Sequence, residues 1–139
     1  MKSDCNILHL EDDDNDSMFF ERALSELHFA GQYRRISTVQ EAIDYFIGEG
    51  VFADRAAYPL PDVLVADSAL GAGKTTGYLM EWLDKQEKIS DLIRIVFSGN
   101  DGRTEQEKWL TRGVTRVLSK GSNLDDFTVS IKEILRHCG

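Results

Sequence analysis

Basic charge is scarce in this chain, and the little there is does not cluster. Sixteen Lys and Arg stand against 24 Asp and Glu, a formal net charge of -8 over 139 residues. Phosphate backbones demand grouped cations, so this balance excludes a general nucleic-acid binder. The same acidity repels anionic membranes. Long apolar runs are missing too, so no membrane span is expected. Residues 1–6 are polar and lack a basic region followed by a long apolar stretch, so no signal peptide is expected either. Cysteine is limited to Cys5 and Cys138 near opposite ends. They form no close-spaced pair of the zinc-site kind, and two lone thiols fit a reducing cytoplasm. The expectation is a soluble cytoplasmic protein.

What is present suffices for one compact domain. A hydrophobic fraction of 42% supports a core, and the length leaves no room for a second globular unit. Short apolar runs alternate with segments of helical period, the pattern of a parallel sheet covered by helices. The first run spans about 5–10, and a helix over 16–29 follows with Phe19, Phe20, Ala23, Leu24 and Leu27 at helical spacing. Tyr33–Ser37 reads as a weaker edge strand. Thr38 opens a capping box with Glu41, and Ala42, Ile43, Phe46 and Ile47 form that helix's apolar face.

Both prolines lie in a long loop, Gly48–Pro61, which ends at the run Val63-Leu64-Val65-Ala66. After a Gly-rich loop comes a helix with Tyr78, Leu79, Trp82 and Leu83. The strand Ile93–Phe97 precedes a helix with Trp109 and Leu110. The strand Val114–Leu118 precedes a last helix with Phe127, Ile131, Ile134 and Leu135. Five strand–helix units make a single doubly wound α/β domain over 1–139. In such sheets ligands bind beyond the carboxyl ends of the strands. There the sequence puts Glu11, Asp12 and Asp13 after the first run, Asp67 after the third, Ser98 after the fourth and Lys120 after the fifth. Carboxylates, a hydroxyl and an amine gathered at one edge suit divalent-metal binding and phosphoryl transfer.

Four segments carry a resemblance: Ile7-Leu8-His9-Leu10-Glu11-Asp12-Asp13, Pro61 through Asp67, Ile95-Val96-Phe97-Ser98-Gly99, and Gly113 through Lys120. In this order they resemble the receiver domain of two-component response regulators. The long loop before Pro61 is similar to that of single-domain receivers associated with phytochrome-type kinases. The resemblance implies a flavodoxin-like sheet of order 2-1-3-4-5 with helices on both faces. It implies that Asp67 accepts a phosphoryl group from a sensor histidine kinase or phosphotransfer protein. Mg²⁺ would be held by Asp12, Asp67, Glu11 and the backbone carbonyl of Ala69. Lys120 and Ser98 would bind phosphoryl oxygens. Output would pass by contact with a downstream protein, and the last helix offers a surface for a homodimer. Such a domain is a signalling phosphoacceptor rather than an enzyme in the ordinary sense.

Three positions depart from the family. Val117 stands where the family's switch aromatic falls, Gly121 follows the lysine in place of proline, and the loop Ser68–Gly77 is longer and richer in glycine. These motivate an alternative, a degenerate receiver that serves as a phosphorylation-independent adaptor. A third reading, a small P-loop NTPase, comes from Gly73-Lys74-Thr75, but Ser68 occupies the first glycine position of that motif. An EF-hand start at Asp12, Asp14 and Asp16 fails, because Ser17 and Ala23 fill the Gly and Glu positions. Asp13, Asp14 and Asp16 read instead as solvated acids at a helix start. His9 reads as a core histidine, and Trp82 and Trp109 as packing residues.

Overall fold

A computed structural model describes residues 5–99 and 102–138. Five parallel strands, β1 (Asn6–Leu10), β2 (Gln32–Ile36), β3 (Val63–Asp67), β4 (Ile93–Ser98) and β5 (Arg116–Ser119), form one sheet of order β2-β1-β3-β4-β5. The helices are α1 (Asp14–Glu26), α2 (Val39–Ile47), α3 (Thr76–Asp84), α4 (Arg103–Leu110) and α5 (Leu124–Arg136). The expected doubly wound sheet and its strand order are thus observed.

Alternation along the strands builds two cores. Leu8, Leu10, Leu64, Ala66 and Val96 face one way and pack with α2, α3 and Trp109 of α4. Ile7, Val63, Val65, Ile95 and Phe97 face the other way and pack with Phe20 and Leu24 of α1 and Phe127, Ile131 and Ile134 of α5. β3 is buried along its whole length, as its continuous apolar run requires. The edge strand β2 is buried only at Ile36.

Caps set the helix starts. Asp13 accepts a hydrogen bond from the Asp16 amide and begins α1 two residues earlier than its apolar period predicts. The expected capping box forms in part: Thr38 Oγ1 accepts from the Glu41 amide at 3.1 Å, while the Glu41 carboxylate accepts from the Ser37 amide, one residue before the cap. Gly48 closes α2 at φ +81°, a left-handed conformation that favours glycine. β5 begins two residues later than predicted because Gly113, at φ +83°, bends the chain and the ladder with β4 starts at Arg116.

The loop at 48–61 is pinned rather than loose. Arg55 donates to the carbonyls of Tyr45 and Phe46, each at 2.7 Å, and so satisfies the exposed end of α2. The Tyr45 hydroxyl donates to the Pro59 carbonyl at 2.8 Å.

The expectation of two lone thiols is overturned. Cys5, just before β1, and Cys138, just after α5, are joined in a disulfide with a Cα–Cα separation of 5.6 Å. Residues 133 apart meet because α5 runs antiparallel to the strands and returns to the sheet edge where β1 begins. Both cysteines are buried. A link closing so long a loop restricts the unfolded chain, an effect of about 5 kcal/mol in the chain-entropy model. Reduction of the disulfide is therefore expected to lower stability by roughly 2–5 kcal/mol. Urea unfolding of the same protein with and without reductant measures this, and coincident midpoints would show that the link adds nothing.

Candidate functional site

Parallel register aligns the strand ends. Leu10 lies beside Ala66, Asp67 beside Phe97 and Ser98 beside Ser119. Glu11, Asp67, Ser98 and Lys120 therefore leave the sheet at one level. β2 lies on one side of β1 and β3 on the other, so the connections diverge here and open a crevice.

Lys120 is the hub of that crevice. Its Nζ donates to Asp16 Oδ2 at 2.7 Å, Glu11 Oε1 at 2.8 Å and Asp67 Oδ2 at 3.2 Å. Asp67 is 7% exposed and Glu11 is fully buried. The Ala69 amide donates to Asp67 Oδ1 at 3.0 Å, and the Thr76 hydroxyl donates to the Asp67 carbonyl. Asp12 is exposed, and its Oδ2 accepts from the Gly71 amide at 2.7 Å, which ties the Gly-rich loop across the crevice. The Ser98 hydroxyl accepts from that of Ser68, the residue after Asp67, at 3.1 Å.

Burial governs the charges. It pushes the Glu11 carboxyl up from 4.5 to about 7, reinforced by Asp67 and opposed by Lys120. Burial also works against the charge of Lys120, but hydrogen bonds to Asp16 and Glu11 and the charges of Glu11 and Asp67 outweigh it. The ammonium is held above its ordinary value. His9 is buried beneath the site, with Nδ1 2.8 Å from the Tyr33 hydroxyl and Nε2 without a partner among the described residues. Burial, then the positive charges of Lys120 and Arg35, lower it to about 3, so it is a neutral core residue as expected.

One carboxylate oxygen from each of Glu11, Asp12 and Asp67 lies within 4.8 Å of the others. Two of these acids are buried and one ammonium serves three carboxylates, so negative charge exceeds its compensation. Hard oxygen donors with surplus charge fit a hard divalent cation.

The fold recurs in solved structures. One is a response regulator in red light signaling of R. palustris, 21% identical, with 95% of this chain and 92% of that one aligned at a TM-score of 0.84. Another is the phosphorylated cyanobacterial phytochrome response regulator RcpA, at 19% identity, 94% and 91% coverage and a TM-score of 0.83. A third is the Mn(2+)-bound form of response regulator Rcp1, at 17% identity, 94% and 91% coverage and a TM-score of 0.80. This chain has the response regulator receiver fold. No protein-family model matches the sequence, and no curated protein does.

Within the receiver fold, the three departures acquire structural reasons. Val117 is buried against the α2–α4 side of the sheet and packs as core. Gly121 has φ +73°, which proline cannot adopt, and a Cβ there would run into Asp126. No cis peptide occurs among the described residues. In the long loop, Lys74 turns away from the acids: its Nζ donates to Gln40 Oε1 at 3.0 Å and sits over the Tyr78 ring. A phosphate contact from Lys74, and with it the P-loop reading, has no support in this geometry.

One participant departs from expectation. Asp16 is not a solvated helix-start acid but a partner of Lys120. Its neighbours fare as expected only in part, since Asp13 caps α1 and Asp14 pairs with Arg35 at 2.8 Å. The only sequence signal for Asp16 was membership of the acidic run. The direction of its side chain depends on where α1 starts, which the Asp13 cap decides. Arg35 was also missed; its Nε donates to the Glu11 carbonyl at 2.9 Å.

Folded Glu11 keeps its proton where the unfolded chain has lost it, so between about 4.5 and about 7 the folded state binds more protons. Its contribution makes metal-free stability fall as pH rises through that window. Glu11→Gln is expected to remove this component, which unfolding midpoints for both proteins from pH 4.5 to 8 would reveal. Identical pH profiles would exclude it.

Proposed function

We propose that residues 1–139 form a single cytoplasmic receiver domain that accepts a phosphoryl group on Asp67. The observation carrying this reading is the Asp67 carboxylate at the end of β3, paired at 3.2 Å with Lys120 and adjoining Glu11 and Asp12. An Asp67 oxygen bonds to the phosphorus of a phosphohistidine as the P–N bond breaks. The imidazole leaves with the electron pair and takes up a proton. Lys120 neutralises a phosphoryl oxygen, and the Ser98 hydroxyl donates to another. Glu11, Asp12, Asp67 and the Ala69 carbonyl are the residues that would hold Mg²⁺. The ion, when bound, screens the crowded carboxylates and the incoming phosphoryl charge.

The donor is a sensor histidine kinase or phosphotransfer protein. The red-light and phytochrome regulators of similar fold favour a kinase of the phytochrome type. No described helix is long and apolar enough to cross a membrane. Phosphorylation exchanges one carboxylate charge for a group of about -1.5 to -2 with three acceptor oxygens. That change biases contact with a downstream protein. Buried Val117 favours a second reading, the phosphorylation-independent adaptor, because no aromatic stands there to turn.

Intact mass after incubation with Mg²⁺ and acetyl phosphate tests the first reading. The expected result is a base-labile gain of one phosphoryl group per chain, lost on adding chelator and absent in Asp67→Asn. An equal gain in Asp67→Asn would move the acceptor elsewhere. No gain from acetyl phosphate or from a phosphohistidine donor would favour the adaptor.

A further inference from the structure

Lys120 has three donor hydrogens and, among the described residues, three carboxylate partners. Two of these, Glu11 and Asp67, also belong with Asp12 to the set of converging oxygens. Asp16 does not. A cation at that set and the Lys120 ammonium would thus draw on two shared carboxylates. Asp12 serves the cation side alone, and Asp16 serves the lysine side alone.

Other restraints on the lysine are few. Its amide donates to the Ser98 carbonyl at 2.8 Å, but the next residue is glycine. Asp16, in contrast, is firmly placed. Its amide is capped by Asp13, and its neighbour Ser17 is buried, with Oγ 3.2 Å from the Tyr33 hydroxyl. The pair is partly shielded, with side-chain exposures of 16% for Lys120 and 31% for Asp16, so its attraction is screened less than that of a surface pair.

We propose that Asp16 is the positioning residue for Lys120, keeping the ammonium at the acceptor when metal and phosphoryl group claim Glu11 and Asp67. This rests on the receiver reading above. Without Asp16, Lys120 has, among the described residues, only the shared carboxylates to turn to. It then competes with the cation and loses its aim at the phosphoryl oxygen.

A double-mutant cycle tests this with two readouts: the initial rate of phosphoryl gain from acetyl phosphate, and Mg²⁺ affinity by calorimetry. Asp16→Asn is expected to slow the gain and weaken Mg²⁺ binding, each by about tenfold. Asp16→Glu, which restores the charge, should recover most of both. In a Lys120→Ala background, Asp16→Asn should change either quantity by less than about twofold. Equal effects with and without Lys120 would reduce Asp16 to a distant charge and overturn the proposal. So would an Asp16→Asn protein indistinguishable from wild type. Wild type that gains no phosphoryl group from acetyl phosphate or from a phosphohistidine donor defeats the phosphoacceptor reading, whereas the calorimetric cycle still decides the Asp16–Lys120 coupling.

Discussion

A single ammonium holds together the polar end of this molecule. Asp16, Glu11 and Asp67 come from the start of α1 and the ends of β1 and β3, and each contacts Lys120 within 3.2 Å. Carboxylates this close repel one another, and burial of two of them removes the water that would screen the repulsion. The lysine makes the arrangement tolerable, and a cation would relieve it further. Burial, reinforced by Asp67, raises the Glu11 carboxyl to about 7, while the surrounding carboxylates hold Lys120 charged. A group that adds negative charge at Asp67 acts on that balance directly.

The sheet makes such crowding possible. Parallel pairing brings residues far apart in sequence to one level, with Asp67 beside the end of β4 and Ser98 beside the end of β5. The two faces are packed by separate helix sets, α1 with α5 and α2 with α3 and α4. The polar groups emerge only where the apolar strands stop. At the opposite end, the Cys5–Cys138 disulfide joins the approach to β1 to the end of α5. The same two elements, β1 and α5, flank the polar end through Glu11 and the turn after Lys120. A disulfide also stands in tension with a reducing compartment.

Local departures have local causes. Gly121 is required by φ +73° and by Asp126 beside it, so the turn after Lys120 differs in kind from one built on proline. Lys74 is drawn to Gln40 and Tyr78 because the long loop leans toward α2, and the amide of Gly71 is left to meet Asp12. Glycine at 71 permits that approach, since a Cβ there would lie 3.1 Å from the Asp12 carboxylate.

Sequence alone determined the alternation of strands and helices, the doubly wound class, and the placement of Glu11, Asp12, Asp67, Ser98 and Lys120 at strand ends. Each follows from short-range patterns: apolar runs of strand length, helical periodicity, and the Thr38–Glu41 capping box. Only the tertiary structure decided the role of Asp16, the reach of Arg35 to the Glu11 carbonyl, the turning away of Lys74 and the pairing of Cys5 with Cys138. Those depend on where a helix starts and which way a loop leans, quantities set by packing between distant segments. A pattern read along the chain reports which face a residue occupies; what it meets across space is fixed by how the layers close.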